Sequence, residues 1–288
     1  MFIDGAFIVY NYGQIQPDQD NSKISKSQLT KIHTESSLSN DAPVNLLILG
    51  LDEEGIRTDV ILLMNFEPEK SKLNILSIAR DTKVFARGKY SKINSVYSAG
   101  KEQLVADTVK EITGLSVQYY VTMNFVGFRK LIDTLDGVVF NVPFNMDYDD
   151  PTQKLHIHLN KGVQRLNGKE SEQLVRYRKG NRSNEGYIDG DIGRIKMQQD
   201  FIKAMIKQKL NLKYLNKVDD VFAILAKYMR TNFNISDFAH YIPSVRKIEA
   251  ADVKVFTLPG DSKLEDKAWY YIGDKQKTEE LIDNNFYK

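Results

Sequence analysis

Between Val44 and Asp81 the chain reads VNLLILGLDEEGIRTDVILLMNFEPEKSKLNILSIARD, and its apolar positions fall into three runs parted by polar turns. Asn45 to Leu51, Asp59 to Phe66 and Leu73 to Ala79 are short, rich in Leu, Ile and Val, and bounded by turn or charge signals, the pattern of largely buried strands. The connectors, Glu53 to Thr58 and Glu67 to Lys72, are too short for crossover helices, so neighbouring strands must run antiparallel. This topology brings the end of the first strand (Asp52), the start of the second (Arg57, Asp59) and the end of the third (Arg80, Asp81) to one edge. Three carboxylates and two guanidiniums converge there.

From Lys92 the spacing becomes helical, with INSVYSAG leading into KEQLVADTVKEITG. In KEQLVADTVKEITG, Leu104, Val105, Thr108, Val109 and Ile112 form one face and Gly114 supplies the stop. Val117 to Met123 reads as a strand, Phe125 to Leu135 as a helix, and Val138 to Val142 as a strand before Pro143. A helix over Asn167 to Val175 leads into RYRKG, followed by a Gly-containing polar loop, Asn181 to Gly190, expected to be mobile. Asp191 to Leu210 is the most regular helical pattern, with Ile192, Ile195, Ile202, Met205, Ile206 and Leu210 facing inward. Helices near Val218 to Met229 and Ser236 to Ile248, strands at Val253 to Leu258 and Trp269 to Ile272, and a closing helix over Lys275 to Asn284 complete the chain. Strands alternating with helices predict an α/β layered fold: a central mixed β-sheet, antiparallel at its start, flanked by helices.

A length of 288 residues is enough for a substantial core. A net charge of only +2 and the lack of any recognition motif argue against nucleic acid as a partner. The absence of Cys excludes thiolate catalysis, disulfides and zinc-thiolate sites. MFIDGAFIVYNYG at the N-terminus is apolar but broken by Asp4 and Gly5 and is shorter than the roughly 20 residues of a spanning helix. Residues 1–43 are therefore expected to form an arm or linker, with an anchor absent or truncated, ahead of a domain over 44–288.

Asp52 and Asp59 stand across one short loop, and two close carboxylates suit a hard cation such as Mg²⁺ shared with phosphate and water; solvated acids beside a turn are the ordinary alternative. Arg176 and Arg178 point the same way only in an extended segment, so a shared ligand requires the helix to end before Arg176. Asp191, Arg194 and Gln198 lie on one stripe of the first two turns of their helix, where backbone N–H groups and the dipole favour an anion. Bidentate arginines match phosphate oxygens, although each could equally form an ordinary salt bridge. His156 and His158 alternate in HIH and could share a metal, but no third ligand is adjacent in sequence and surface histidines are the simpler reading. The run from Tyr119 to Met146 could line a lipid tunnel or simply be core.

Taken in order, GLD at 50–52, RTDVILLM at 57–64, SIARDT at 77–82, KINSVYSAG at 92–100, FVGFRKLIDTLDGVVFNVP at 125–143, RYRKG at 176–180, DIGRIKMQQDFI at 191–202 and TLPG at 257–260 resemble the LytR-CpsA-Psr family of cell-wall phosphotransferases. The resemblance implies a domain at the cell surface, on the outer face of the plasma membrane, carried by a single N-terminal anchor. It implies transfer of a glycopolymer from an undecaprenyl-pyrophosphate carrier onto peptidoglycan through a phosphodiester, with the polyprenyl-linked polymer, the peptidoglycan acceptor and the membrane surface as partners. Carried over by position, Asp52 and Asp59 are similar to the acids that hold Mg²⁺, or alternatively Mn²⁺. Arg80, Arg176, Arg178, Arg194 and Gln198 resemble the pyrophosphate cradle, and Arg57, Asp81, Lys92 and Asp191 fall on motif positions of less settled role. Asp81 and Asp59 are the candidates for a catalytic base beside Arg80, and the lipid tail would occupy an apolar tunnel beneath the sheet. Three positions depart from the family pattern: Ala79 where proline is usual, Asp136 where glycine is usual, and Met197 where arginine is frequent. A Mg-dependent pyrophosphatase using water as acceptor, and a non-catalytic module that binds polyprenyl phosphate or wall polymer, share many of these features.

Overall fold

The computed structural model describes residues 42–52, 54–152, 155–182, 185–188, 190–209, 221, 224, 227–233, 241, 243–245 and 247–286. The expected arm over 1–43, save its last two residues, and most of the expected helices over 218–229 and 236–248 lie outside them. β1 (Val44–Leu51), β2 (Thr58–Glu67) and β3 (Lys72–Ile78) pair antiparallel, as the short connectors require. β6 (Tyr119–Met123) joins β1 in parallel and β12 (Val253–Thr257) joins β3 in parallel, while β11 (Met229–Thr231) pairs antiparallel with β6. The sheet order is β11-β6-β1-β2-β3-β12, so the three opening strands lie near its centre.

Strand periodicity divides the apolar residues between the two faces of this sheet. Leu47, Leu49, Ile61, Leu63, Leu76 and Ile78 pack beneath α1 (Ile93–Thr113) and α5 (Lys275–Asn285). Ile48, Val60, Leu62, Met64 and Ile75 face the other way, towards Ile202 and Ile206 of α4 (Asp191–Lys209). α1 begins directly after Lys92, where the helical spacing starts, but is broken at Lys101, whose φ is 53, and it ends on the left-handed Gly114 as the sequence requires.

A second cluster is built from α2 (Phe125–Thr134), β7 (Val138–Val142), the β8–β9 hairpin (Met146–Asp150 and Leu155–Leu159), β10 (Gly162–Leu166) and α3 (Gly168–Arg176). Asn124 caps α2 and Asn167 forms a capping box with Glu170 on α3, so both helices start where their side chains can satisfy free N–H groups. Ile132, Val138, Val142 and Met146 are 0–1% exposed here, so these four members of the Tyr119–Met146 run are packed core. α4 serves both clusters. Met197 and Phe201, outside the face expected from its spacing, are buried against α2 and β7, while Ile202 and Ile206 meet the sheet. Two hairpins, β4–β5 (Lys83–Ala86 and Lys89–Lys92) and β13–β14 (Gly260–Glu265 and Ala268–Gly273), of which only the strand over Trp269–Ile272 was expected, lie next to each other through the Thr82–Tyr271 bridge.

Gly168 lets α3 approach α2 closely, since a Cβ there would sit 2.2 Å from the carbonyl oxygen of Arg129. Gly168→Ala is expected to destabilise the protein by about 1–3 kcal/mol, the usual range for overpacking. Urea denaturation measures this, and an unchanged midpoint would show that the two helices can separate at no cost.

Candidate active site

The turn that follows β3 carries the first half of the site. Thr82 N–H and its hydroxyl both donate to Ala79 O, at 3.0 and 2.6 Å, closing the turn over Arg80 and Asp81. Asn94 N–H at the start of α1 donates to Arg80 O, and Tyr271 N–H donates to Asp81 O, so helix and hairpin clamp the turn from two sides. Arg80 Nη1 donates to Asp59 Oδ1 at 2.6 Å across the neighbouring strand ends, with about a third of each side chain exposed. The Arg80 Nε–H is buried and has no acceptor among the described residues. A buried donor without a partner costs free energy, and at a cleft wall it marks the place where an anionic ligand would be welcome. Lys92 Nζ lies 3.0 Å from Asp81 Oδ1, which sets the Asp81 carboxylate between a cation and the cleft.

Asp52 is turned back on its own loop. Its Oδ1 accepts the N–H groups of Ile56 and Arg57 at 2.9 and 3.1 Å, and its Oδ2 faces Arg57 Nε at 3.3 Å. Burial pushes the Asp52 carboxyl up, but the two backbone N–H groups and the Arg57 guanidinium outweigh it and hold the pKa below the ordinary value of 3.8.

The second half arrives on α4. Arg194 and Gln198 face Asp59, Arg80 and Asp81 across a cavity of about 80 Å³ whose apolar floor includes Val60, Leu62, Ile195 and Ile202. Gln198 Nε2 donates to Val175 O at 2.8 Å, using an otherwise open carbonyl in the last turn of α3, and Gln199 Nε2 donates to Thr257 Oγ1 at 2.7 Å. These two amides moor α4 to α3 on one side and to β12 on the other.

Five of the expected residues, Asp59, Arg80, Asp81, Arg194 and Gln198, therefore share one cleft, with Lys92 joined through Asp81. Asp52 and Arg57 pair with each other at the adjoining loop. Arg176 and Arg178 do not line the cavity. α3 continues through Arg176, which reaches back one turn to Glu172 Oε1 at 2.9 Å and lies over the Phe125 ring at 4.8 Å, while Arg129 holds the other Glu172 oxygen. The chain turns extended at Tyr177, which is buried, and leaves Arg178 exposed. The Asp191 side chain lies outside the described part. In the loop that follows Arg178, where it is described, Lys179 bridges Gly186, and Tyr187 packs against Phe144 and Tyr177, its phenol pushed well up by burial.

Tyr271, Gln199 and Ser262 also line the cleft and were not foreseen. The sequence carries a trace of the first: a Cβ on Gly260 would lie 2.8 Å from the Tyr271 ring and 2.3 Å from Ile272 O, so the glycine of TLPG is what lets that tyrosine lie beside the site. Tyr271 OH donates to Leu258 O at 2.6 Å, and burial raises its pKa, so it stays a neutral donor.

Comparison with known proteins places this geometry. The LytR_cpsA_psr family model matches residues 8–286. A polyisoprenyl-teichoic acid–peptidoglycan teichoic acid transferase, TagU, of Bacillus licheniformis is 29% identical over 91% of this chain and 82% of its own length. The regulatory protein MsrR of Staphylococcus aureus is 32% identical over 82% of this chain and 71% of its own. The crystal structure of Bacillus subtilis TagV superposes with a TM-score of 0.72 at 23% identity, covering 85% of this chain and 96% of that one, a likeness of fold.

The Asp52 carboxyl titrates below an unfolded Asp, so its contribution to stability is complete above pH of about 4 and is lost as pH falls through the lowered folded value. Asp52→Asn should therefore lose less stability than the wild type on acidification in that window. Thermal midpoints measured from pH 6 downwards check this, and parallel curves for the two proteins would contradict it.

Proposed function

The chain belongs to the LytR-CpsA-Psr family, and from that premise we propose that it is an extracytoplasmic phosphotransferase that moves a wall glycopolymer from a polyprenyl-pyrophosphate carrier onto peptidoglycan. The observation that carries this reading is the pairing of Arg80, whose buried Nε–H has no acceptor among the described residues, with Arg194 across one small cleft. Two guanidiniums from elements far apart in sequence offer planar forks to the same space, and phosphate oxygens are the ligand such forks fit best. The TagU relative, named for polyisoprenyl-linked teichoic acid and peptidoglycan, supports the same donor and acceptor classes. The regulatory name of the MsrR relative calls for no DNA site here, given a net charge of +2 and no recognition motif.

The donor set suits a hard dication. Asp59 keeps its Oδ2 clear of the Arg80 contact, and an ionised carboxylate has about four lone-pair sites, of which Asp52 uses three. Asp52 and Asp59 would hold Mg²⁺ or Mn²⁺, and the ion would supply neutralisation of phosphate charge. The protein groups do the rest. Arg80, Arg194 and Gln198 bind and orient the pyrophosphate. A sugar hydroxyl of the acceptor attacks the glycosyl-bearing phosphorus, the new P–O bond forms as the bridging P–O bond breaks, and polyprenyl phosphate leaves. Asp59 or Asp81 takes the hydroxyl proton, and positioned charge lowers the barrier.

The cavity, at about 80 Å³, is well below the ~300–1,000 Å³ of pockets for drug-sized ligands and matches a phosphate group. Admission of the prenyl chain requires Ile195 and Ile202 of α4 to move off Val60 and Leu62.

Arg80→Ala should lower transfer of lipid-linked polymer to peptidoglycan by about 100- to 1,000-fold, the loss seen when one preorganised charge donor is removed. Product analysis must show a phosphodiester conjugate with the wild type. Full transfer by the variant, or free glycan phosphate as the sole product, would overturn the assignment, the latter in favour of a pyrophosphatase.

A further inference from the structure

A second constellation stands on the β8–β9 hairpin, away from the cleft. His156 and His158 occupy alternate positions of β9, and Asp149 and Asp147 lie directly opposite them on β8. All four project from the face opposite Met146, Ile157 and Leu159, which are buried, so strand alternation forces them to the solvent side together. His156 Nδ1 contacts Asp149 Oδ1. His158 Nδ1 contacts Asp147 Oδ1 at 2.6 Å, and its Nε2 points at the same Asp149 Oδ1 at 3.4 Å. Ligating atoms of Asp149, His156 and His158 lie within 4.8 Å of one another.

We propose that Asp149, His156 and His158 form a site for a divalent transition-metal ion of the Zn²⁺ class. Ligands about 2.1 Å from a tetrahedral ion stand about 3.4 Å apart, which is the separation already present between His158 Nε2 and Asp149 Oδ1. Asp147 has the outer role: by accepting the His158 Nδ1–H it fixes the tautomer that leaves Nε2 for the ion. Two imidazoles and one carboxylate favour a borderline ion over Mg²⁺, which prefers oxygen, and water would complete the coordination. The hairpin is a firm base. Gln173 of α3 accepts the His158 N–H through its side chain at 3.2 Å, and Asn181, three residues after Arg178, exchanges two hydrogen bonds with the Asp149 backbone. A bound ion would thus brace the strand to which the segment after Arg178 is tied.

The test is calorimetric titration of the full chain with Zn²⁺ at neutral pH in excess Mg²⁺, added to compete for the proposed Asp52–Asp59 site. The wild type should bind one ion, His156→Ala and His158→Ala should each weaken binding by more than about 100-fold, and Asp147→Asn by about tenfold. Imidazole NMR signals report on the same event without any variant: with four histidines in the chain, two should move on addition of Zn²⁺. No binding by the wild type, equal binding by the His156→Ala/His158→Ala double variant, or shifts confined to the other two histidines would each overturn the proposal. None of these outcomes bears on polymer transfer, so this site and the cleft stand or fall separately.

Discussion

The Arg80–Asp59 ion pair is the contact on which the geometry of the cleft depends. It spans the end of β3 and the start of β2, and it exists only because short connectors make β1, β2 and β3 antiparallel and stack their polar ends on one edge. With each side chain about one third exposed, the pair itself adds little to stability. Its consequence is orientation. Asp59 holds one guanidinium nitrogen of Arg80, which lines the cavity and whose buried Nε–H has no acceptor among the described residues.

Helix α4 brings the opposing half. It lies between two apolar clusters, with Met197 and Phe201 in one and Ile202 and Ile206 facing the other, and its first turns carry Arg194 and Gln198 to the strand ends. Met197 stands where an arginine is frequent in the family pattern, and here that position is 5% exposed and filled by core packing. One helix thus sets both the spacing between the arginines and the thickness of the apolar floor beneath them.

Much of this was legible from residue pattern alone. The three opening strands, their antiparallel order and the shared edge followed from connector length, and Gly114 ended its helix as required. The convergence of Arg194 and Gln198 on that edge was suggested by motif order and not by periodicity, since no local pattern says which strand a distant helix will cover. Arg176 shows a placement that residue pattern did not give. Its neighbour in RYR gave no hint that α3 would run on through it and spend it on Glu172, a contact set by i,i+4 spacing within the helix. The β4–β5 hairpin and β13 were missed because their strands are four to six residues of mixed polarity; the strand over Trp269 to Ile272 was read, but without its partner β13 nothing placed Tyr271 beside the cleft. The third metal ligand beside the two histidines was likewise invisible in sequence, because β8 and β9 meet only through cross-strand register.

The central claim, that Arg80 and Arg194 receive one pyrophosphate, is tested most directly by a crystal structure of the protein with a short-chain prenyl pyrophosphate. The account predicts phosphate oxygens within hydrogen-bonding distance of Arg80 Nε and of Arg194, with the prenyl group directed between α4 and β2. A pyrophosphate seated elsewhere, with Arg80 Nε still lacking an acceptor, would contradict it.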